Sequence, residues 1–265
     1  MFAPRQLRFA DLGPPRVDPA FRDLRRMELG GGAYVDYRPG WLSGADALFG
    51  ELVRSVPWRQ RSRRMAGREV LEPRLSAPAG PGELRRWPLL AEISELLSRR
   101  YGVALRSCWL NLYRDGRDSV AWHGDRLPPE SLDTPVALVS LGAARPLLLR
   151  PRGGGRSLRF ELGSGDLLVM GGSCQRRFEH AVPKVRGAGP RISAAWRVHR
   201  AFDSRRAGAP PKRSPTGGHP EGARRFAPGP VRGITGRHPP GTEESGCPPT
   251  WSSSTIRLPT SAGSR

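Results

Sequence analysis

The stretch that decides both fold and chemistry runs from Asn111 to Asp125 and reads Asn-Leu-Tyr-Arg-Asp-Gly-Arg-Asp-Ser-Val-Ala-Trp-His-Gly-Asp. It ends in His123-x-Asp125. Residues i and i+2 of a strand point to the same side, so the two ligand atoms can reach one point. Such a pair also occurs by chance, and it predicts a metal site only in the company of further ligands.

Further ligands follow downstream. His180 lies beyond a Gly-rich segment, and the run Arg191-Ile-Ser193-Ala-Ala-Trp-Arg197 begins eleven residues later. Two His and one carboxylate make a facial triad that leaves open positions on octahedral iron(II), where a bidentate 2-oxo acid and dioxygen can bind. A 2-oxo dicarboxylate also needs a cation for its far carboxylate. Arg191 suits this role because its planar fork binds carboxylate bidentately.

These motifs resemble the AlkB family of iron(II)- and 2-oxoglutarate-dependent dioxygenases. The shared pattern is Asn-x-Tyr-x-x-Gly-x-Asp, then His-x-Asp, then a distant His and Arg-x-Ser-(x)3-Arg, and the resemblance covers Tyr34 to Arg200. It implies a double-stranded β-helix, a jelly-roll barrel. The implied activity is oxidative removal of alkyl groups from damaged bases such as 1-methyladenine and 3-methylcytosine, in DNA or RNA.

The resemblance also assigns residues to two sites. It implies that Fe(II) is held by His123, Asp125 and His180. It implies a pocket for the cosubstrate 2-oxoglutarate that is formed by Asn111, Tyr113, Arg191, Ser193 and Arg197. Strand alternation supports this pocket independently, because residues two or four apart in one strand share a side. With dioxygen as the third reactant, the implied products are succinate, carbon dioxide, formaldehyde and the repaired base.

The match is weaker on the substrate side. Relatives place lid aromatics where this chain has Ala66, Pro78 and Ala79. Loss of base–aromatic stacking costs about 1–3 kcal/mol per base, so substrate affinity is lower or the substrate differs. Candidate substrate contacts are two tryptophans and three arginines, each of which has an alternative explanation as a core, rim or solvated residue: Trp58, Trp122, Arg74, Arg150 and Arg152.

The charge and the cysteine content of the chain limit the possible binding partners and the cellular compartment. The net charge of +20 predicts a polyanionic partner such as nucleic acid, although the arginines could simply solubilise the surface. Single-stranded DNA is the preferred nucleic acid, because the base must leave its stack to reach the iron that the resemblance implies. Three cysteines without paired spacing predict a reducing cytoplasm. The first residues do not resemble a signal peptide, and no run of eighteen apolar residues occurs. The sequence therefore predicts that the protein is not exported and does not span a membrane. The absence of a coiled-coil pattern predicts a monomer.

The predicted fold class is α+β, mainly β, with two N-terminal helices that buttress the barrel. One helix is expected after Ser43 as N-cap, and a second from Pro88 to Tyr101. From Ala104 onward, short β-rich runs alternate with Gly and Pro, which is typical of a sandwich or barrel. Residues 1–32 are predicted to be an irregular lead-in, residues 33–200 the catalytic domain, and residues 201–265 a disordered tail rich in Pro, Gly and Arg.

Two further functions remain open. The same iron centre could hydroxylate a protein side chain or a small molecule, for which the missing lid aromatics are the support. A non-enzymatic, basic nucleic-acid-binding protein on a degenerate barrel is the other alternative. The complete set of ligands argues against it, because a binding module has no chemical need for all of these polar groups.

Overall fold

The computed structural model describes residues 13–65, 67–125, 127 and 131–198. The helices of this part are α1 (Ala45–Ser55), α2 (Pro81–Leu84), α3 (Pro88–Tyr101) and α4 (Cys174–Arg177). Its strands are β1 (Arg16–Val17), β2 (Arg25–Gly30), β3 (Ala33–Arg38), β4 (Leu42–Ser43), β5 (Arg59–Met65), β6 (Arg68–Ala79), β7 (Ser107–Tyr113), β8 (Val120–His123), β9 (Val136–Gly142), β10 (Arg145–Pro151), β11 (Leu158–Leu162), β12 (Leu167–Gly172), β13 (Phe178–Val182) and β14 (Arg191–Arg197). The predicted tail, residues 201–265, and Ala66 lie outside the described residues.

Most strands belong to two antiparallel sheets. The larger sheet has eight strands in the order β2-β3-β12-β9-β14-β7-β6-β5, and the smaller has four in the order β11-β10-β13-β8. Neighbouring strands are often distant in sequence, as with β14, which lies between β7 and β9. This arrangement confirms the predicted mainly-β jelly-roll architecture.

The two sheets face each other across an apolar layer. The larger sheet contributes Leu138 and Met170, and the smaller sheet contributes Leu147 and Leu149. Val139, the neighbour of Leu138, belongs instead to the core under the helices, because alternate residues of a strand point to opposite faces. The central strands are therefore buried on both faces, which explains their continuous apolar sequences.

Helices α1 and α3 contribute to the core on the other face of the larger sheet. The predicted limits of α3, Pro88 and Tyr101, are confirmed, and Gly102 ends the helix in the left-handed conformation at φ 68°. Leu90, Ile93 and Leu97 recur at helical spacing and are all 0% exposed. Full burial of each such side chain stabilises the fold by about 1.5–3 kcal/mol.

The predicted N-cap of the first helix is wrong. Helix α1 begins after Gly44, whose φ of 62° is left-handed, and no side chain caps it. Ser43 instead lies in β4, opposite Arg16. A Cβ at position 44 would lie 2.5 Å from the carbonyl oxygen of Gly13. The N-terminal segment passes so close to the start of α1 that position 44 must be glycine. This contact is between distant parts of the chain, so the local sequence, which predicted Ser43 as the N-cap, does not reveal it.

Three strand pairs were not predicted. Strand β1 pairs with β4, and β2 pairs with β3, so the prediction of an irregular lead-in over residues 1–32 is wrong for Arg16–Val17 and Arg25–Gly30. Strands β5 and β6 form a hairpin at the opposite edge of the larger sheet. Both β2 and β5 are polar edge strands. They lack the apolar alternation by which a strand is recognised, because neither buries a complete face.

Candidate active site

The two site histidines occupy neighbouring strands of the smaller sheet. His123 ends β8 and lies directly opposite His180 of β13. Their ring centroids are 4.3 Å apart, with an angle of 52° between the ring planes. The Nδ1 atom of His123 lies 2.9 Å from the carbonyl oxygen of Ala121. A carbonyl can only accept, so Nδ1 carries the proton and the Nε2 atom of His123 is left as an electron-pair donor.

Asp125 brings a carboxylate to the same place. Its Oδ2 atom lies 4.0 Å from Nε2 of His180, and its Oδ1 atom lies 2.9 Å from Nη1 of Arg197. The side chain of Asp125 is 7% exposed. Oδ2 is buried and has no hydrogen-bond partner among the described residues. A buried carboxylate oxygen without a partner is costly, so this atom is suited to a cation.

The electrostatics of the site favour the ligand forms of both groups. Burial alone would raise the pKa of the Asp125 carboxyl, but Arg197 and the two histidines lower it below its usual value. Burial lowers the pKa of His180 to about 4, against the opposing effect of Asp125. At neutral pH the structure therefore presents a carboxylate and a neutral imidazole, the protonation states that bind a metal ion.

These three side chains supply the donor set of a facial triad, which is two imidazole nitrogens and one carboxylate oxygen. Among the residues that the structure describes, no three such side chains are already arranged to hold a metal ion. The hydrogen bond from His123 to a backbone carbonyl is of the kind that orients metal-bound histidines. Oδ2 of Asp125 has no hydrogen-bond partner among the described residues. A metal ion bound to this oxygen would therefore not break a hydrogen bond that Oδ2 makes.

The predicted cosubstrate residues share one face of the larger sheet. Arg191 lies opposite Tyr113, and Ser193 lies opposite both Asn111 and Ser140. This face is turned toward the smaller sheet, because Ala195 of the same strand belongs to the layer between the sheets. The structure thus brings together all five residues that the resemblance assigned to 2-oxoglutarate.

Arg191 has the surroundings of an anion-binding residue. It is 1% exposed, and its Nε donates to Oγ of Ser140 over 2.8 Å. Its Cζ lies 5.3 Å from the centroid of the Tyr113 ring. Both terminal nitrogens are buried and have no hydrogen-bond partner among the described residues. A guanidinium with two free parallel N–H groups matches a carboxylate in bidentate geometry.

Arg197 and Arg74 have more specific places than the sequence indicated. Arg197 contacts the metal-ligand candidate Asp125 directly. Nε of Arg74 donates to Oδ1 of Asn111 over 3.0 Å, and Nη2 of Arg74 pairs with Glu72 at 2.9 Å. Arg74 therefore orients a cosubstrate residue and is already neutralised, so its guanidinium is poorly placed to serve as a free phosphate contact.

Three candidate substrate residues are not brought to the site. Trp122 and Arg150 stack at 3.9 Å, and Arg150 pairs with Glu179 at 2.6 Å. They lie on the face of the smaller sheet opposite His123, because adjacent residues of a strand point to opposite sides. Trp58 packs against the core under the helices. We therefore leave Trp58, Trp122 and Arg150 out of the site.

Arg152 remains beside the metal-ligand motif. Its Nη2 donates to the carbonyl oxygen of Gln175 over 2.9 Å. The same nitrogen lies 2.0 Å from the position that a Cβ at Gly124 would occupy. Gly124, between His123 and Asp125, thus allows the guanidinium to pack against the backbone of the motif.

The positions of the missing lid aromatics differ in their surroundings. Ala79 is 1% exposed and belongs to the core under the helices, so an aromatic there would face away from the site. Pro78 lies opposite Trp109, which shares the site-facing side of β7 with Asn111. The guanidinium of Arg61 covers the Trp109 ring at 4.5 Å. Trp109 is therefore the aromatic that the structure places beside the pocket.

Two site residues escaped the sequence analysis. Ser140 accepts the hydrogen bond from Arg191, and it is the one hydroxyl in the otherwise apolar run Val136–Gly142, which was a usable signal. Trp109 gave no signal, because a tryptophan in a β-rich run is typical of a core. Only the register of β6, β7 and β14 shows which side it faces.

The chain is similar to several known proteins. Residues 81–208 match the 2OG-Fe(II) oxygenase superfamily. The chain is 32% identical to alpha-ketoglutarate-dependent dioxygenase alkB homolog 3 of Bos taurus over 60% of this chain and 64% of that protein. It is 27% identical to DNA oxidative demethylase ALKBH2 of Mus musculus over 70% of this chain and 76% of that protein. A solved structure of OsALKBH1 aligns with a TM-score of 0.48 at 15% identity, over 66% of this chain and 100% of that one.

The match indicates that the chain contains a 2OG-Fe(II) oxygenase domain within residues 81–208. Within that superfamily the AlkB homologues are relatives of this chain, at about 30% identity. The family implies Fe(II), 2-oxoglutarate and dioxygen as the cofactor and cosubstrates of the domain. The chain spans just under two thirds of the alkB homolog 3 protein of Bos taurus. In the part of the chain that the structure describes, no helix is both long and apolar enough to cross a lipid bilayer.

Proposed function

We propose that His123, Asp125 and His180 bind Fe(II), and that this chain oxidatively demethylates N-alkylated bases such as 1-methyladenine and 3-methylcytosine in DNA or RNA. The observation that carries the proposal is the pairing of two unsatisfied groups in one layer. Oδ2 of Asp125, beside two histidines, is buried without a partner among the described residues and is suited to a cation. The Nη atoms of Arg191 are also buried without a described partner and are suited to a carboxylate. A metal ion and a dicarboxylate satisfy both.

The cosubstrate pocket is formed by Asn111, Tyr113, Arg191, Ser193 and Arg197 in this proposal. Arg191 holds the far carboxylate of 2-oxoglutarate, and Ser140 fixes the plane of its guanidinium. Arg74 orients the side-chain amide of Asn111. Ser193 donates a single hydrogen bond. Arg197 holds Oδ1 of Asp125, which leaves Oδ2 as the oxygen that faces the metal position.

When bound, iron(II) with 2-oxoglutarate and dioxygen supplies an oxidant that hydroxylates the N-alkyl carbon, while 2-oxoglutarate becomes succinate and carbon dioxide. The hydroxylated alkyl group then leaves the base nitrogen as formaldehyde. The residues of this chain bind, orient and exclude water, since the oxidising power belongs to the cofactor. The base must leave its stack to reach the site, which favours damaged or single-stranded bases.

The basic hairpin supports a nucleic-acid substrate. Arg59 lies opposite Ser76, Arg63 lies opposite Val70, and Arg61 covers Trp109. Arg59 and Arg61 lie on the site-facing side of β5, and Arg63 follows in the same strand beyond an irregularity in its pairing with β6. No described carboxylate forms a salt bridge with any of them, so their charges are available for phosphates. The name DNA oxidative demethylase, given to the ALKBH2 relatives, points to the same substrate class.

Trp109 is the candidate stacking platform for the base. It lies two residues before Asn111 on the same face of β7, opposite Pro78, which is one of the positions where relatives have a lid aromatic. The guanidinium of Arg61 covers its ring, and a base of the substrate could replace or extend that stack. Base–aromatic stacking is worth about 1–3 kcal/mol per base and is tolerant of sequence.

Single-strand preference, a monomeric state and a cytoplasmic location are parts of the same proposal. A single row of arginines on one edge strand tracks one backbone rather than two. Buried, unpaired Cys108 and Cys174 support a reducing compartment. We also propose that the catalytic domain spans residues 33–200, to which β2 adds an edge strand.

Hydroxylation of a protein side chain or a small molecule on the same iron centre is the second candidate. The observation in its favour is Pro78, which lies opposite Trp109 on the site-facing side of β6 and leaves that lid position without an aromatic. Only the substrate assay below separates it from base demethylation, since both use the same ligands and release succinate.

The test incubates the full chain with Fe(II), ascorbate, 2-oxoglutarate and a single-stranded oligonucleotide that carries 1-methyladenine or 3-methylcytosine. We expect succinate and formaldehyde in matched amounts, both lost in His123→Ala and both retained in Asp133→Ala, which removes only an exposed ion pair with Arg176. Succinate without formaldehyde would favour the second candidate. Demethylation that survives His123→Ala would overturn the proposed metal site.

A further inference from the structure

Arg145 is buried where β10 begins. It alternates with Leu147 and Leu149, which belong to the layer between the sheets, so its side chain points into the barrel. The residue is 0% exposed. A buried guanidinium is costly unless its N–H groups are hydrogen-bonded, so its partners show what it holds in place.

The partners are backbone carbonyls from two separate segments. Nη1 donates to the oxygen of Asp115 over 3.0 Å, and Nη2 donates to the oxygens of Asp118 and Pro183 over 2.8 and 2.7 Å. Asp115 and Asp118 belong to the turn that leads into β8. Pro183 directly follows β13. Arg145 thus joins the segment before His123 to the segment after His180.

Other contacts close the same junction. The amide of Val185 donates to the carbonyl oxygen of Gly116 over 2.8 Å. A Cβ at position 116 would lie 1.7 Å from the carbonyl oxygen of Val185, so only glycine fits there. The carboxylate of Asp118 accepts from the backbone and the side chain of Arg114 at 2.8 Å each. The turn 114–119 is therefore held against residues 183–188 at several points.

This junction matters because the strand pair that carries the histidines is short. Strand β8 is an edge strand, and its register with β13 consists of His123 opposite His180 and Val120 opposite Val182, with an irregularity between them. Two such pairs constrain the separation of the rings weakly. The contacts of Arg145 lie at the Val120 end of this pair. Its Cζ is also 5.6 Å from the ring of Tyr113.

We propose that Arg145 is a positioning residue that sets the spacing of His123 and His180 by joining the turn 114–119 to the segment 183–188. The inference rests on the proposed function, since it concerns the metal ligands assigned there. It requires arginine, because the planar fork reaches three carbonyls at once, whereas an ammonium is a point donor on a flexible stem. Arg145 itself touches neither metal nor cosubstrate in this proposal.

The test titrates metal-free full-length protein with Co(II), followed by its visible absorption, in Arg145→Lys, Arg145→Met and Arg26→Lys. Arg26 makes two hydrogen bonds to Asp36 on β2 and β3, which carry no residue of the proposed site. We expect both Arg145 variants to bind Co(II) about 10- to 100-fold more weakly, as for loss of other outer-shell partners. Arg26→Lys should lower the melting temperature without changing Co(II) affinity, which separates positioning from stability.

Two further measurements test the proposal even if the Arg145 variants do not fold. Gly116→Ala displaces the same turn from Val185 and should weaken Co(II) binding similarly. In the wild type, Co(II) should slow amide exchange across residues 114–119 and 183–188. Unchanged Co(II) affinity in a folded Arg145→Lys protein, or no slowing of exchange in the wild type, would overturn the positioning role. A wild-type protein that does not bind Co(II) would instead overturn the proposed function.

Discussion

Nη1 of Arg197 lies 2.9 Å from Oδ1 of Asp125, so one oxygen of the metal-ligand carboxylate is occupied by the last residue of β14. The ion pair joins the larger sheet to the loop after β8, and it lowers the pKa of Asp125. It thereby keeps the carboxylate ionised and turns Oδ2 toward His180. A residue that the resemblance assigned to the cosubstrate therefore also contacts a ligand of the proposed metal site.

Arg197→Ala should raise the pKa of Asp125, because burial then acts without the opposing cation. Protons compete with metal for the carboxylate, so Co(II) affinity should fall about 10- to 100-fold, and more at pH 6 than at pH 8. Calorimetric titration at the two pH values checks this. Arg176→Ala, which breaks an exposed ion pair, is the control. An equal loss at both pH values would contradict the electrostatic explanation.

His180 should make the metal-free protein less stable in mild acid. Its pKa is about 4 in the folded state, against a usual value of 6.5. Between these values the unfolded chain binds a proton that the folded protein does not, so the free energy of unfolding falls as pH drops from 6.5 to 4. The loss is about 3 kcal/mol. Urea denaturation should show this slope in the wild type and a smaller one in His180→Gln; equal slopes would rule out His180 as its source.

Arg191→Lys should weaken 2-oxoglutarate binding selectively. A lysine loses the bidentate contact and the hydrogen bond to Ser140, and hydrogen bonds to charged groups are worth about 1.5–3 kcal/mol each. We expect the apparent KM for 2-oxoglutarate to rise about 10- to 100-fold, with Co(II) affinity of the metal-free protein unchanged. Ser140→Ala should show the same pattern with a smaller rise. A fall in metal affinity in either variant would show that the two sites are not separate.

Neutralising three arginines of β5 should reduce the salt dependence of nucleic-acid binding. The logarithm of affinity for single strands falls with the logarithm of salt by about 0.7 per phosphate contact. Replacing Arg59, Arg61 and Arg63 by Gln should therefore lower the slope by about 2 if each contacts one phosphate. Fluorescence anisotropy with a labelled single strand measures it.

A charge-matched control exists for that experiment. Arg54, Arg85 and Arg99 are exposed residues of the helical segments, so their replacement by Gln removes the same charge from elsewhere. If both triple variants lose the same slope, net charge rather than the β5 row accounts for binding.

Much of the fold could be predicted because its central elements are buried on both faces. The helical spacing in α3 reflects local periodicity alone, and this helix lies where it was expected; β9 and β12 are apolar runs within the β-rich part that was expected from Ala104 onward. The polar edge strands β2 and β5 could not be predicted, since their pairing comes from neighbours in space. The N-terminus of α1 was missed for a similar reason. Position 44 must be glycine because the backbone of Gly13, which is distant in sequence, lies against it.

The sequence by itself determined which residues are candidate ligands, because donor type and i, i+2 spacing are properties of the local chain. It named His123, Asp125, His180 and Arg191 as groups of one site. Only the tertiary structure decided which way each side chain faces. Strand register turned Trp122 and Arg150 away from His123 and placed Trp109 beside Asn111. It also brought Arg145 to three carbonyls from two segments, because such contacts depend on how distant strands pack and leave no local pattern.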